Sequence, residues 1–196
     1  MSGVYAVSAA EGRLYQGEIL SDVIERLTTW VGRTDDRDDF GIQEVVHPYV
    51  IVLAQDCDLE QDARARSDDK MEGAQRENAL LPSVVLVVAS EFEKAKDRFG
   101  GSDVRKRAKQ NKDERFQYLS GVASDEDAVR VGIPPLVLDF KRFFTYPMAE
   151  LLKAIERGEA RRRSRLATPY AEQLSDRFGY FLQRIGLPRD HHDIGT

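Results

Sequence analysis

The sequence predicts an α+β fold, with a small β-barrel-like core followed by a helical C-terminal third. Two uninterrupted aliphatic runs, residues 45–53 and 84–88, predict the core. Continuous β-branched stretches are typical of strands that are buried on both faces or that lie in a closed barrel. Apolar residues at helical spacing after Pro147 predict the helices. A chain of 196 residues can bury such a core without a disulfide or a structural metal.

One domain covering residues 1–196 is the expected organisation, with the barrel core in 15–144 and the C-terminal helices in 145–188. The run at 45–53 is expected to become a strand at or after Pro48, because proline cannot donate to a strand ladder. Residues 14–31 stay open between helix and strand, since their apolar spacing fits both. Residues 34–41 are expected to form a polar loop.

The middle of the chain alternates between polar segments and apolar runs. The expected elements are, in order, a polar surface insertion at 58–78 with helical turns, a strand at 80–89, a short helix at 91–99 that Gly100 ends, a basic segment at 102–113, and strands at 115–119 and 136–144. The last strand follows Pro134 and Pro135, where the chain cannot be helical.

Two helices are predicted in the C-terminal third. The first begins at Pro147 and ends at Gly158. The second begins after Thr168 and Pro169, an N-cap residue followed by proline at the first helical position, and ends at Gly186. Its apolar stripe, which is expected to face the core, consists of Tyr170, Leu174, Phe178, Phe181, Leu182 and Ile185.

Composition predicts a soluble, cytoplasmic protein without membrane contact. The single cysteine, Cys57, excludes an intramolecular disulfide, and no apolar run approaches the roughly 20 residues that cross a bilayer. The net charge of −5 hides segregated blocks, acidic at 35–39 and basic at 161–165 and 105–112. Such runs are usually solvated faces, but the second basic block makes RNA or DNA a possible partner. The candidate nucleic-acid-binding residues are Arg105, Lys106, Arg107, Lys109 and Lys112.

The densest group of reactive side chains is Gln55, Asp56, Cys57 and Asp58, directly after the first predicted strand. Three interpretations stay open. A Cys57 nucleophile lacks a near base, because His47 lies roughly 30 Å away along an extended strand. A metal site would use Asp56, Cys57 and Asp58, with His191 or His192 as optional further ligands, and it lacks zinc-ligand spacing. In the third, Asp56 and Asp58 cap the loop while Cys57 fills a small apolar space. No phosphate-loop, nucleophile-elbow or dinucleotide motif occurs, so no cofactor is expected.

Residues 15–90 resemble the MazF/PemK-type ribonuclease toxins. The matching segments are Gly17-Glu18-Ile19, residues 47–53 beginning His-Pro, and residues 84–90 ending in Ser90. The resemblance implies an SH3-like β-barrel with a C-terminal helix and a metal-independent cleavage of RNA. His47 stands where that family has a catalytic arginine, and Ser90 and Arg115 complete the candidate catalytic set. The chain also resembles an uncharacterised bacterial family with a Gln-Asp-Cys-Asp-Leu signature, here residues 55–59.

The leading functional interpretation is a non-catalytic binding module of a bacterial cytosolic system, which binds nucleic acid or a protein partner. The scarcity of catalytic motifs favours it. The alternative is a toxin-like, metal-independent endoribonuclease that uses His47, Ser90 and Arg115. The sequence leaves the oligomeric state open.

Overall fold

A computed structural model describes residues 3–34 and 37–183 of the chain. Within these residues, seven strands form one antiparallel sheet in the order β1-β7-β2-β3-β4-β6-β5, accompanied by five α-helices. The strands are β1 (Tyr5–Val7), β2 (Glu18–Thr34), β3 (Arg37–Val52), β4 (Ser83–Glu91), β5 (Phe116–Leu119), β6 (Leu136–Pro147) and β7 (Arg161–Leu166). The helices are α1 (Asp56–Ser67), α2 (Gly73–Ala79), α3 (Ser102–Lys109), α4 (Met148–Glu156) and α5 (Tyr170–Leu182). The mixed α and β content is confirmed, and the sheet curls into a half-barrel.

Two long strands, β2 and β3, answer the question that the sequence left open at 14–31. They pair from Ile19↔Ile51 to Thr34↔Arg37, so this segment is strand and not helix. The expectation of a polar loop at 34–41 is wrong, because its described residues belong to these two strands. The expected strand start at Pro48 is also wrong. Pro48 lies opposite Asp22, between two paired rows of the β2–β3 ladder, a position at which its missing N–H does not end the strand.

The polar insertion at 58–78 is mostly helical, in α1 and α2. The expected helical turns are thus complete helices, although α1 has no broad apolar face. Ion pairs one helical turn apart hold it instead, Arg64 with Glu60 and Arg66 with Asp62. Asp62 is buried and accepts a hydrogen bond of 2.9 Å from the Leu81 backbone N–H, which ties α1 to the chain just before β4.

The expected strands at 80–89, 115–119 and 136–144 are confirmed as β4, β5 and β6, with β6 extending to Pro147. The expected helix at 91–99 is a turn of 3₁₀ helix, Lys96–Arg98. The basic segment contains helix α3. It packs over a small apolar cluster made by Phe92, Ala95, Phe99, Ala108, Phe116 and Val137.

The all-helical C-terminal third is wrong in one segment. Helices α4 and α5 occupy the predicted places, but residues 161–166 form strand β7, which pairs with both β1 and β2. The sheet therefore takes strands from outside the predicted core range of 15–144. The predicted end of the last helix at Gly186, together with Ile185, lies outside the described residues.

Successive residues of the central strands alternate between two apolar layers. Ile19, Ile51 and Val87 lie in the layer that α5 covers through Leu174. Their chain neighbours lie in the opposite layer, which α1 and α4 cover through Leu59, Met148 and Leu151. The two faces of the sheet are therefore both buried in its middle, which explains the uninterrupted aliphatic runs.

Candidate functional site

His47 lies in β3, opposite Val23, at the point where the paired strands leave the body of the sheet. Only 4% of its surface is exposed. Its Nε2 lies 2.8 Å from a carboxylate oxygen of Glu25, and its ring stacks on Phe144 with the centroids 5.1 Å apart. These contacts make His47 a buried anchor between β2, β3 and β6.

Arg115 and Ser90 have separate surroundings. The Arg115 guanidinium donates hydrogen bonds of 2.7 and 2.6 Å to the Asp139 carboxylate, which raises the pKa of Arg115. Ser90 is half-buried in β4, opposite Val137 of β6. Among the described residues, no hydrogen bond or ion pair joins any two of His47, Ser90 and Arg115. The structure brings each of them to the sheet, but not to one another.

The basic helix α3 is partly neutralised by its surroundings. Arg105 forms an ion pair of 2.7 Å with Glu93 and also lies over the Phe92 ring, and Arg107 lies 3.4 Å from Asp113. Next to the helix, a hollow of about 350 Å³ collects both signs of charge. Its lining residues are Arg107, Lys112, Asp113, Glu114, Arg115 and Lys141.

The candidate cluster at 55–58 forms the start of α1. Asp56 accepts two hydrogen bonds, of 3.0 and 2.8 Å, from the Arg13 guanidinium, and these lower the pKa of its carboxyl. Gln55 is the residue before the helix. Cys57 is exposed, so the expectation that it fills an apolar space is wrong, and among the described residues its Sγ forms hydrogen bonds with Gln55 and Asp58 at 3.7 and 3.6 Å. Helix geometry turns Cys57 outward while Asp56 faces the body of the protein.

A metal site is not formed in this cluster. Within residues 3–34 and 37–183, no group of three or more His, Cys, Asp or Glu side chains is arranged to hold a metal ion. His191 and His192, the optional further ligands of the metal interpretation, lie outside those residues. Asp56 instead lines a cavity of about 360 Å³ beside Tyr15, where the Arg13 and Arg165 guanidinium carbons each lie 4.0 Å from the ring centroid.

Two of the arginines in the basic run 161–165 are not on the surface at all. Arg162 donates hydrogen bonds of 2.6 and 3.1 Å to Glu18, and both side chains are buried. Arg163 binds Asp127 through bonds of 2.8 and 2.7 Å, also buried. The run therefore contributes to the interior of the fold. Strand β7 lies inside the sheet between β1 and β2, and the carboxylates of Glu18 and Asp127 pair with its two buried arginines.

The two outer strands of the sheet, β1 and β5, approach each other because the sheet curls. The Tyr5 hydroxyl donates a hydrogen bond of 2.6 Å to the Ser120 carbonyl, and burial raises the pKa of Tyr5 to about 12. A cavity of about 560 Å³ lies along this seam under α5. The half-barrel is therefore bridged by side chains at its open side.

Side chains also occupy the outer edge of β5. The Tyr118 N–H donates to Asn111 Oδ1 at 2.6 Å, and Asn111 Nδ2 donates to the Tyr118 carbonyl at 3.1 Å. Arg177 donates to the Phe116 carbonyl at 3.1 Å. These groups use the bonds that an added strand would need, so β5 is a poor site for strand addition.

Strands β2 and β3 extend beyond the rest of the sheet as a two-stranded arm, the β2–β3 arm, which we define as residues 23–34 and 37–47. Strand β7 pairs with β2 only up to Ser21, and β4 pairs with β3 only from Tyr49 onward. Beyond these points β2 and β3 pair only with each other among the described residues. At about 3.3 Å per residue, the arm reaches roughly 40 Å from the sheet.

One face of this arm is apolar and exposed. Because directly opposed residues of antiparallel strands share a face, the pairs Trp30↔Phe40, Thr28↔Ile42 and Ile24↔Val46 lie together. The exposed fractions are 64% for Trp30 and for Phe40, 75% for Ile42 and 58% for Val46. We call these three pairs, with the ion pair between Arg26 and Glu44, the arm face.

The opposite side of the arm faces the protein at its base. Glu25 and His47 lie there, as does Val23, which belongs to a buried apolar layer. The sequence did not reveal the arm, since its apolar spacing also fits a helix. A weak strand signal was present in the period-two spacing of Phe40, Ile42 and Val46, but only Phe40 of these lies in the segment expected to be a loop.

Comparison of the chain with protein-family models, with curated proteins and with solved structures finds no match. Across the part of the chain that the structure describes, no helix has both the length and the apolar character required to traverse a bilayer. The functional argument therefore depends on the geometry of the chain itself.

Proposed function

We propose that this chain is a non-catalytic binding module of a bacterial cytosolic system, and that its arm face binds a protein partner. The proposal includes the SH3-like barrel that the MazF/PemK resemblance implies, with the curled sheet as its core and the arm as an addition. The observation that carries the proposal is the exposure of Trp30, Phe40, Ile42 and Val46 on one face of a two-stranded ribbon.

Apolar exposure of this extent favours a protein partner. An exposed aromatic or branched side chain is ordinary when it is isolated, but contiguous apolar patches of a few hundred Å² mark interaction sites. Tryptophan and other aromatic side chains are also enriched at the centres of protein interfaces. Trp30 and Phe40 lie directly opposite each other near the end of the arm, where a partner can reach both.

The stability of the arm supports the same conclusion. A two-stranded ribbon without a third strand or a packed face is only marginally stable in water. The base of the arm is anchored by His47 and Glu25, but the rows beyond it have no such cover among the described residues. Burial of the arm face by a partner would supply the packing that the isolated ribbon lacks.

The charge of the arm face also favours a protein partner over a nucleic acid. The arm face carries one cation and one anion, Arg26 and Glu44, which already pair at 2.9 Å. Nucleic acids are bound by side chains that neutralise phosphates, and this face has no spare cation for them. An apolar protein surface suits it better.

A photoreactive benzophenone side chain placed at Ile42 tests the proposal in the full chain. Gln43, the next residue, points to the other side of the ribbon and provides the matched control position. We expect a defined protein adduct from position 42 and none from position 43. The purified adduct protein should then bind the native chain stoichiometrically and shift the emission of Trp30, the single tryptophan, to shorter wavelength. Equal crosslinking from both positions, or no stoichiometric complex, would overturn the proposal.

A second candidate function, nucleic-acid binding, is favoured by one observation. Helix α3 and the hollow beside it collect several cations, and Lys106 and Lys112 have no carboxylate partner among the described residues. The pairing of Arg105 with Glu93 and of Arg107 with Asp113 reduces the charge available to phosphates. We therefore rank this function second.

A further inference from the structure

We infer that the protein bound by the arm face is a second copy of this chain, so that two arms pack face to face in a two-fold antiparallel arrangement. This inference rests on the proposed function, because it concerns the same surface. It adds the identity of the partner and the geometry of the contact.

The dimensions of the arm suit such a pair. The four rows of the arm face span about 20 Å. Four of its apolar side chains are more than half exposed, two of them aromatic, so two copies packed face to face would bury on the order of 1,000 Å² in total. Specific interfaces begin at about 1,000 Å² of total buried surface. The arm face alone therefore offers enough area for a weak but specific dimer.

The charge pattern allows the face to pack against itself. A two-fold interface places the same patch on both subunits, so a patch of a single sign would repel its copy. Arg26 and Glu44 make this face neutral, and every other member of its rows is uncharged. The face therefore carries no net charge that would select an oppositely charged foreign surface.

The direction of packing follows from the two ends of the arm. Charged residues, among them Asp38 and Asp39, follow the Trp30↔Phe40 row toward the tip. A parallel pair would bring these identical tips together, whereas an antiparallel pair separates them by the length of the arm. In the antiparallel pair the aromatic row of one copy lies over the rows near the base of the other, which include Arg26. Arginine over an aromatic face is a favourable contact.

Sedimentation velocity over a range of protein concentrations, with Trp30 emission recorded in parallel, tests the inference in the full chain. We expect the native chain to sediment as a dimer at high concentration. On dilution it should dissociate, and the emission should move to longer wavelength as Trp30 becomes exposed. Phe40→Ser with Ile42→Ser should weaken the dimer by more than about a hundredfold while keeping the tryptophan.

Two further variants separate loss of contact from loss of the arm. Thr28→Lys places a charge at the centre of the arm face without removing an apolar side chain, and we expect it to be monomeric with an unchanged circular dichroism spectrum. Leu27→Ser removes an apolar side chain from the other side of the ribbon and should leave the dimer intact. A native chain that is monomeric throughout, or a Thr28→Lys variant that dimerises as well as the native chain, would overturn the inference.

The crosslinking experiment distinguishes the failure of this inference from the failure of the proposed function. A monomeric native chain whose position 42 still gives a stoichiometric complex with a different protein overturns only the second-copy inference. A monomeric native chain with no such complex overturns both.

Discussion

Arg163 and Asp127 form a bidentate ion pair in the interior of the protein, with hydrogen bonds of 2.8 and 2.7 Å between two buried side chains. Arg163 comes from β7, and Asp127 comes from the segment between β5 and β6. The Asp127 carboxylate also accepts a hydrogen bond of 2.8 Å from the Gly132 N–H. The Asp127 carboxylate therefore links β7 to the segment between β5 and β6.

Removing the charge of Asp127 should destabilise the fold strongly. Asp127→Asn leaves the Arg163 guanidinium buried without an anion, and the loss of one partner of a buried pair costs about 3–5 kcal/mol. The free energy of unfolding in urea measures this loss. Arg161→Ala is the matched control on the same strand, because Arg161 is exposed and its removal should change the free energy by no more than about 0.5 kcal/mol. Equal effects of the two substitutions would contradict the structural role of the pair.

The same pair predicts a loss of stability in acid. Burial alone would raise the pKa of Asp127, but hydrogen bonds from Arg163 and from the Val129 and Gly132 N–H groups outweigh burial and lower it. The stabilisation is complete above the unfolded-state aspartate pKa of about 4 and is lost as the pH falls below it through the lower folded-state pKa. Asp56, whose pKa is lowered chiefly by its hydrogen bond with Arg13, adds to the same acid dependence.

Unfolding measured at a series of pH values below about 5 tests this dependence. The native chain should lose stability as the pH falls, and Asp127→Asn should show a shallower loss, because one of the carboxyl groups with a lowered pKa is absent. Parallel curves for the two proteins would show that Asp127 has the same pKa in the folded and unfolded states.

These buried ion pairs are also a feature that the sequence did not predict. The aliphatic runs that became β4 and the inner half of β3 were predicted, since burial on both faces leaves a continuous apolar pattern. Arg162 and Arg163 were interpreted as part of a charged surface run. Their partners, Glu18 and Asp127, lie 144 and 36 residues away in the chain, and only the sheet topology brings them together.

The arm was missed for a different physical reason. In a buried strand the core selects residue types, but the outer rows of the arm contact no core, so their composition carries no clear strand signal. The polar composition of residues 34–41 predicts a loop, but the charged residues described there, Arg37, Asp38 and Asp39, are exposed in a protruding hairpin. The candidate site depends on this arm, so it emerged only from the structure.

Nucleic-acid binding by the basic helix, the second candidate function, makes a sharp prediction. If it is correct, Lys106→Ala with Lys112→Ala should weaken binding of RNA or DNA. It should also reduce the slope of log K against log salt concentration by about 2, since two phosphate contacts are removed. Lys70→Ala with Arg161→Ala removes the same charge from other exposed positions and should leave the slope unchanged. Fluorescence anisotropy of a labelled oligonucleotide measures both quantities. No binding at about 50 mM salt would exclude this function.

Substitution of His47 distinguishes the binding-module hypothesis from the endoribonuclease hypothesis. Its Nε2 is committed to Glu25 and its ring to Phe144, so we expect His47→Ala to lower the free energy of unfolding by about 2 kcal/mol, the range for a hydrogen bond to a charged group. We also expect the native chain to leave single-stranded RNA intact in the presence of EDTA.

The ribonuclease hypothesis requires the reverse, cleavage by the native chain that His47→Ala abolishes while the variant is still folded. His47→Gln keeps a hydrogen-bonding group toward Glu25 but cannot exchange a proton as imidazole does. Cleavage by the native chain together with a folded, inactive His47→Gln variant would therefore establish acid–base chemistry at this position and exclude a purely structural role.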